Sequence, residues 1–162
     1  MRYIVRQRIF SFGDSFNITD EFERPVFQVQ GKIFTLGNKL NIYDMAGNHL
    51  IYIEQKLFRF LPEYYIYRGD AQVARIKKQL TFFKSKFDIE SVYGRFEMDG
   101  DIFSYNFNIY KDGRQVASVS KKFISFSDTY SVDIVEGEKD PFILSIVITL
   151  DQVFYDGQNN NN

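Results

Sequence analysis

The segment from Asp140 to Asp156 is apolar on every side, and after Pro141 it runs fifteen residues without Gly or Pro. Its β-branched content also suits a buried strand, and periodicity alone does not separate the two. The Asp140-Pro141 pair decides for a helix over 140–156, because Asp is favoured at an N-cap and Pro at the first helical position. A helix that is apolar all round has to be enclosed. What could enclose it is set by the rest of the chain. Eighteen Phe, eleven Tyr and only three Pro suit half-buried pleated strands. A sheet wrapped round the helix, with the inner faces of its strands packed on it, satisfies both requirements.

Ten glycines punctuate the apolar-alternating runs. Asp99-Gly100 and Asp112-Gly113 read as hairpin turns, and Gly47-Asn48 and Gly69-Asp70 as weaker ones. The N-terminus from Met1 to Arg8 reads as a first strand. Leu40 to Tyr43, Tyr64 to Tyr67 and the period-two run from Phe103 to Tyr110 read as later ones. An internal repeat supports the same arrangement. Val73-Ala74-Arg75-Ile76-Lys77-Lys78 returns 43 residues later as Val116-Ala117-Ser118-Val119-Ser120-Lys121, followed by Lys122. A looser copy, Gly47 to Lys56, precedes them. Each unit is a turn, a strand and a cationic strand end, so the chain reads as a meander of hairpins in one curled or closed sheet. The expected fold is mainly β, a closed antiparallel barrel around one C-terminal helix. At 162 residues it is one domain over 1–157, followed by a disordered polar tail, 158–162.

The paired pattern Val73-Ala74-x-Ile76-x-Lys78 and Val116-Ala117-x-Val119-x-Lys121-Lys122, the earlier Ile53-Glu54-Gln55-Lys56 and the apolar C-terminal segment resemble the LURP-one-related family, including its bacterial YxjI-like branch. Their order and spacing carry the resemblance from Tyr3 to Asp156. It implies a tubby C-terminal-like fold, a strand barrel round a hydrophobic C-terminal helix, shared with tubby proteins and phospholipid scramblases. No catalytic residue set comes with it. Tubby domains bind phosphoinositide headgroups through Lys and Arg, but no residue-by-residue correspondence carries that site to this chain.

The composition removes several kinds of chemistry. No cysteine means no disulfide, no thiolate nucleophile and no Cys-based zinc site. The one histidine, His49, lies beside Gly47-Asn48 in an expected turn and reads as solvated. Gly-x-Ser-x-Gly, Gly-x-Gly-x-x-Gly and phosphate-loop motifs are absent, and the Asp-Gly pairs do not continue into a calcium loop. No enzyme activity, cofactor or metal is expected. A formal net charge of −1 argues against a general nucleic-acid binder. The most apolar window, Phe142 to Leu150, is nine residues, well short of the roughly 20 needed to span a bilayer as a helix. The expected location is cytoplasmic, with at most peripheral membrane contact.

One constellation remains. Arg75, Lys77 and Lys78, then Lys84 and Lys86, are matched by Lys121 and Lys122 in the second copy and Lys56 in the first. Lys78 is in phase with Ala74 and Ile76, and Lys121 with Ala117 and Val119, so an inward apolar face puts these lysines at the barrel rim. Strand-end lysines also discourage aggregation, which requires no ligand, and Asp88, Glu90, Asp128 and Asp133 are opposing acids able to neutralise the patch. The functional reading is a non-enzymatic binding or regulatory module that takes anionic phospholipid headgroups through Lys77, Lys78, Lys121, Lys122, Arg75 and Lys56. The alternative is a protein-interaction module using exposed aromatics, such as those from Tyr64 to Tyr67, or a sheet edge.

Overall fold

A computed structural model describes residues 1–7, 15–32, 36–82, 84–121 and 128–159. Its strands are β1 Arg2–Arg6, β2 Ser15–Asp20, β3 Pro25–Gly31, β4 Lys39–Asp44, β5 His49–Gln55, β6 Glu63–Arg68, β7 Ala71–Lys78, β8 Phe87–Ser91, β9 Gly94–Asp101, β10 Asn106–Lys111, β11 Arg114–Ser120 and β12 Thr129–Ile134. Each pairs antiparallel with its sequence neighbours, and β12 closes on β1 through Tyr3↔Val132 and Val5↔Tyr130. The sheet is a closed barrel. Closure removes the edge to which a partner strand could add, so the edge-binding alternative does not hold.

The helix α1, Asp140–Asn159, fills the barrel. Thirteen consecutive residues, Phe142 to Phe154, are buried, so the all-round apolar character seen in the sequence matches an all-round enclosure. Two of the polar side chains among them are satisfied within the helix: Ser145 Oγ donates to the Phe142 carbonyl at 2.6 Å and Thr149 Oγ1 to the Ser145 carbonyl at 2.8 Å. The helix start corrects the expected cap. The Lys139 carbonyl accepts from the Phe142 and Ile143 amides, so Asp140 is the first helical residue and Pro141 the second. Asp140 instead accepts from the Tyr3 hydroxyl, tying β1 to the helix. Burial, reinforced by that bond, pushes the Tyr3 hydroxyl well above its ordinary range. The helix continues to Asn159, three residues beyond the 140–156 span read from the sequence, and 160–162 lie outside the described residues.

The 43-residue repeat is a bulged hairpin. Between β6 and β7, Ile66 pairs Ala74 and Tyr67 pairs Gln72, leaving Val73 as the extra residue. Between β10 and β11, Ile109 pairs Ala117 and Tyr110 pairs Gln115, leaving Val116. The same step recurs at Leu50 between β4 and β5 and at Val26 between β2 and β3. A bulge turns two successive side chains to one face and increases local twist. Val73 with Ala74 and Val116 with Ala117 are accordingly all buried, and Leu50 and Val26 pack against the core. The Val-Ala pair in the repeat is the signature of this bulge, placed where the sheet has to curl round α1.

The turn readings divide. Asp112-Gly113 is a two-residue hairpin with both φ values positive, 49° and 80°, and Gly69-Asp70 joins β6 to β7 in the same length. Asp99-Gly100 is not a turn: both residues lie inside β9, and the reversal comes at 102–105, so Phe103 to Tyr105 precede β10 and are not part of it. Gly100 is needed for another reason. Its φ is 123°, and a Cβ there would stand 2.6 Å from the Asn106 carbonyl oxygen and 2.7 Å from the Phe107 Cα. The aromatic run of β6 is also different from expectation. Tyr64 and Ile66 face inward and are fully buried, and Tyr65 and Tyr67 are half-buried on the outer face, so this strand offers no exposed aromatic patch.

Two outcomes follow from this packing. Ile146→Pro removes a hydrogen bond and forces a clash in an element with no free side, costing ~3 kcal/mol or more out of a typical total of about 5–15. Circular dichroism should show an unfolded or aggregated product, and a cooperative native transition in this variant would contradict the enclosed helix. Gly100→Ala should fold with a lowered melting temperature, whereas Gly47→Ala, which meets no atom within 4 Å, should carry only its backbone strain.

Candidate functional site

Because the sheet is a meander, all odd-numbered strands run one way, and their C-terminal ends share one end of the barrel. The connections there span four to eight residues, whereas those joining strands at the opposite end span two to four. The helix enters at the short-turn end after β12. Its twenty residues, about 30 Å at 1.5 Å per residue, bring its C-terminus to the long-loop end. Charge divides along the same axis. Among the described residues, the connections at the loop end hold six cations, Lys32, Lys56, Arg59, Lys84, Lys86 and Lys121, against one carboxylate, Asp128. Those at the turn end, including the link from β12 to α1, hold two cations, Arg24 and Lys139, against six carboxylates.

The cations singled out from the sequence do share the loop end, but cross-strand partners sort them. Arg75 lies on the outer face between Glu63 at 3.6 Å, Asp88 at 3.5 Å and Glu90 at 3.2 Å, so its charge is already matched. Lys56 stands 3.7 Å from Glu54, with Nζ 4.6 Å from the Tyr65 ring centroid. Lys121 places Nζ 4.9 Å from the Tyr105 ring centroid, and that ring lies against Tyr130. Lys122 lies outside the described residues. Lys77 and Lys78 end β7 half-buried, and Lys84 and Lys86 are exposed in the loop that follows; none of these four has a carboxylate within ion-pair distance among the described residues. The accessible cationic site therefore centres on the two ends of the β7–β8 loop, and Arg75 belongs to the barrel wall.

Large apolar side chains stand between these cations. Phe58, Phe82 and Phe60 are the three most exposed large hydrophobics of the described chain, at 99 %, 93 % and 92 %, and Leu36 and Leu80 are also exposed at this end. The loops that carry them are ordered by their bases. The Gln79 amide donates to the Lys86 carbonyl at 2.8 Å, and Thr81 Oγ1 donates to the Lys84 carbonyl. The Lys56 amide donates to the Glu63 carbonyl at 2.8 Å, Arg59 pairs with buried Glu63 at 3.1 Å, and the Lys78 amide donates to the Pro62 carbonyl at 3.0 Å, joining the two loops. Phe103, in the next loop, packs edge-on to Phe154 of the helix with centroids 4.5 Å apart. Phe58, Phe60 and Phe82 fall outside the strand patterns of the sequence. Their signal was available as Phe and Leu outside any alternating run, beside Lys and Arg.

Below the loops, the helix end carries a buried polar group. The Tyr105 hydroxyl donates to Asp151, the Tyr105 and Tyr130 rings stack at 4.9 Å, and burial pushes the Tyr130 hydroxyl far above its ordinary range. Asp101 anchors the adjacent 102–105 loop. Its carboxylate accepts from Ser104 Oγ at 2.8 Å and the Phe103 amide at 2.9 Å, and those bonds hold its pKa below the usual carboxylate range.

At the turn end an open groove of about 380 Å³ is lined by Arg68, Tyr93, Glu138, Lys139 and Phe142 among others. Its acids are occupied: Glu138 binds Lys111 at 3.0 Å and Arg114 at 2.8 Å, and Asp140 accepts from Tyr3. His49 opens β5 exposed, its Nε2 2.9 Å from Asn41 Oδ1, and among the described residues no three His, Asp or Glu side chains gather as metal ligands. Among the described residues no helix is long and apolar enough to cross a membrane.

Comparison with known proteins agrees with this architecture. The family model for LURP-one-related proteins matches residues 1–151. The chain is 39 % identical over 154 residues to the uncharacterised protein YxjI of Bacillus subtilis strain 168, covering 95 % of this chain and 94 % of that one. An Arabidopsis thaliana protein known from X-ray structure superposes with a TM-score of 0.68 at 17 % identity, covering 94 % of this chain and 91 % of that chain, which shows a common fold. With twelve strands closed round one C-terminal helix and a family match running through most of that helix, the chain belongs to the LURP-one-related family.

Proposed function

We propose that this protein is a non-enzymatic binding module that engages anionic phospholipid headgroups with the loop end of its barrel. The observation that carries the reading is the axial division of charge: six cations against one carboxylate in the described loop-end connections, and two against six at the turn end. A negative surface attracts one end and repels the other, so the charge pattern orients the molecule as well as binding it. Lys77, Lys78, Lys84 and Lys86 form the centre of the site, with Lys121 and Lys56 at its margin, while Arg75, matched by three carboxylates, contributes to the wall alone. Juxtamembrane cations contribute about 1 kcal/mol each near an anionic surface, so four give useful affinity only together and in modest salt.

Two features support a binding role over catalysis. The acids of the turn-end groove are engaged in ion pairs or hydrogen bonds, and the polar group at the helix end, Tyr105 with Asp151, is buried beneath the loops. The test is co-sedimentation with vesicles of phosphatidylcholine alone and of phosphatidylcholine with phosphatidylserine, at low and moderate salt. Wild type should bind the anionic vesicles and release as salt rises. Lys77→Glu/Lys78→Glu/Lys84→Glu/Lys86→Glu, verified as folded by its melting curve, should lose at least tenfold in affinity. Arg75→Gln should bind like wild type. Equal binding to both vesicle types, or none, would refute the headgroup reading.

A further inference from the structure

The charge division explains attraction to an anionic surface but leaves the exposed phenylalanines without a role. Phe58 and Phe60 lie in the β5–β6 connection and Phe82 in the β7–β8 connection, nearly fully exposed, and none makes a ring contact with another described residue. Several large apolar side chains so exposed on two adjoining loops mark an interaction surface rather than scattered exposure. Their place in the loops is regular. In the β7–β8 connection Lys77 and Lys78 stand at the outgoing base, Leu80 and Phe82 at the middle, and Lys84 and Lys86 on the return. The bases are pinned by the Gln79–Lys86 and Lys56–Glu63 backbone bonds, and the Lys78–Pro62 bond holds the loops side by side. Cations therefore stand at the bases with apolar side chains beyond them in the β7–β8 connection, and in the β5–β6 connection Lys56 stands at the base while Arg59, between Phe58 and Phe60, pairs back to buried Glu63.

That order matches the cross-section of a bilayer leaflet, where phosphates lie outermost and hydrocarbon beneath. A folded protein surface that complemented it would need a ring of acids round an apolar pit of matching depth; an anionic membrane presents this order everywhere. We propose that Phe58, Phe60 and Phe82, with Leu80, insert into the acyl boundary of an anionic membrane, so that the barrel stands with its loop end down and the C-terminus of α1 directed at the bilayer. This rests on the headgroup reading above and adds the apolar anchor and the orientation. The outer wall stays in water, consistent with its ion pairs Arg2–Asp133 and Arg75–Glu90. Insertion of a few side chains by rigid loops is shallow and reversible, and it requires no helix that spans the membrane.

The chain has no tryptophan, so a single introduced indole reports one position without background. Phe58→Trp and Phe82→Trp are each mixed with phosphatidylcholine–phosphatidylserine vesicles, with and without acyl-chain-brominated lipid. The expected result is a blue-shifted emission quenched by bromine at both positions, whereas Tyr110→Trp, beside the 112–113 turn at the opposite end of the barrel, is unaffected. In sedimentation, Phe58→Ser/Phe60→Ser/Phe82→Ser should lose at least tenfold in affinity, and its residual binding should be more easily removed by salt. If both indoles remain unshifted while the proteins still sediment with anionic vesicles, insertion is refuted and headgroup binding stands. If neither the indole variants nor wild type sediments, both readings fail. If the emission shifts without vesicles and the mass in solution doubles, insertion is refuted and the tips belong to a contact between two copies of this chain.

Discussion

Enclosure of α1 is the constraint on which the rest of the structure depends. A helix buried from Phe142 to Phe154 on all sides needs a wall that leaves no gap, and an open sheet cannot provide one. Twelve strands close round it, and the recurrent bulges at Val26, Leu50, Val73 and Val116 supply the twist and the paired inward side chains that closing requires. The strands are short and their outer faces are wet, so little apolar surface is buried except against the helix. The interior is consequently one contiguous hydrophobic cluster to which each described strand contributes. Removing the helix would leave a tube lined by Ile, Val and Tyr side chains with nothing to pack against.

The same topology creates two unlike ends. A meander of twelve strands places every odd-to-even connection at one end, and entry of the helix at the other leaves the long loops free of the chain's crossing. The short turns need Gly and Asp for their backbone geometry, as at Gly69-Asp70 and Asp112-Gly113, and this brings carboxylates to that end. The long loops have no such requirement and carry Lys and Phe. Charge polarity along the axis thus arises partly from turn chemistry, while Phe58, Phe60, Phe82, Lys84 and Lys86 make no side-chain ring contact or ion pair among the described residues that accounts for them. That difference is why the functional reading concentrates there.

Much of this was legible in the sequence because the signals were local or strictly periodic. The helix announced itself through an Asp-Pro start and an uninterrupted apolar run, and the hairpins through the repeated Val-Ala pairs, although the physical meaning of those pairs, a bulge, needed the strand register. What could not be read depended on which strands lie side by side. Asp88 and Glu90 are legible as acids opposing the basic patch, but that they and Glu63 meet the Arg75 guanidinium from two neighbouring strands needs the register. Tyr64 looked exposed because a tyrosine run alternates poorly, and the structure buries it completely. Gly100 read as a turn from its Asp-Gly context, yet it serves a close approach between β9 and β10. The loop-tip phenylalanines carry no period, and only their place outside any alternating run, beside Lys and Arg, sets them apart from core.

The central claim is that one end of a helix-filled barrel meets an anionic membrane while the opposite end stays in water. Amide hydrogen exchange on the intact protein, with and without phosphatidylcholine–phosphatidylserine vesicles, tests it most directly, because it reads every segment at once. The account predicts that amides from Phe142 to Phe154 exchange slowest in both states. It also predicts that vesicles protect segments 56–62 and 79–86, with no change at the 45–48 and 112–113 turns. Protection appearing at those short turns, or on the outer faces of the strands with the loops unaffected, would contradict it.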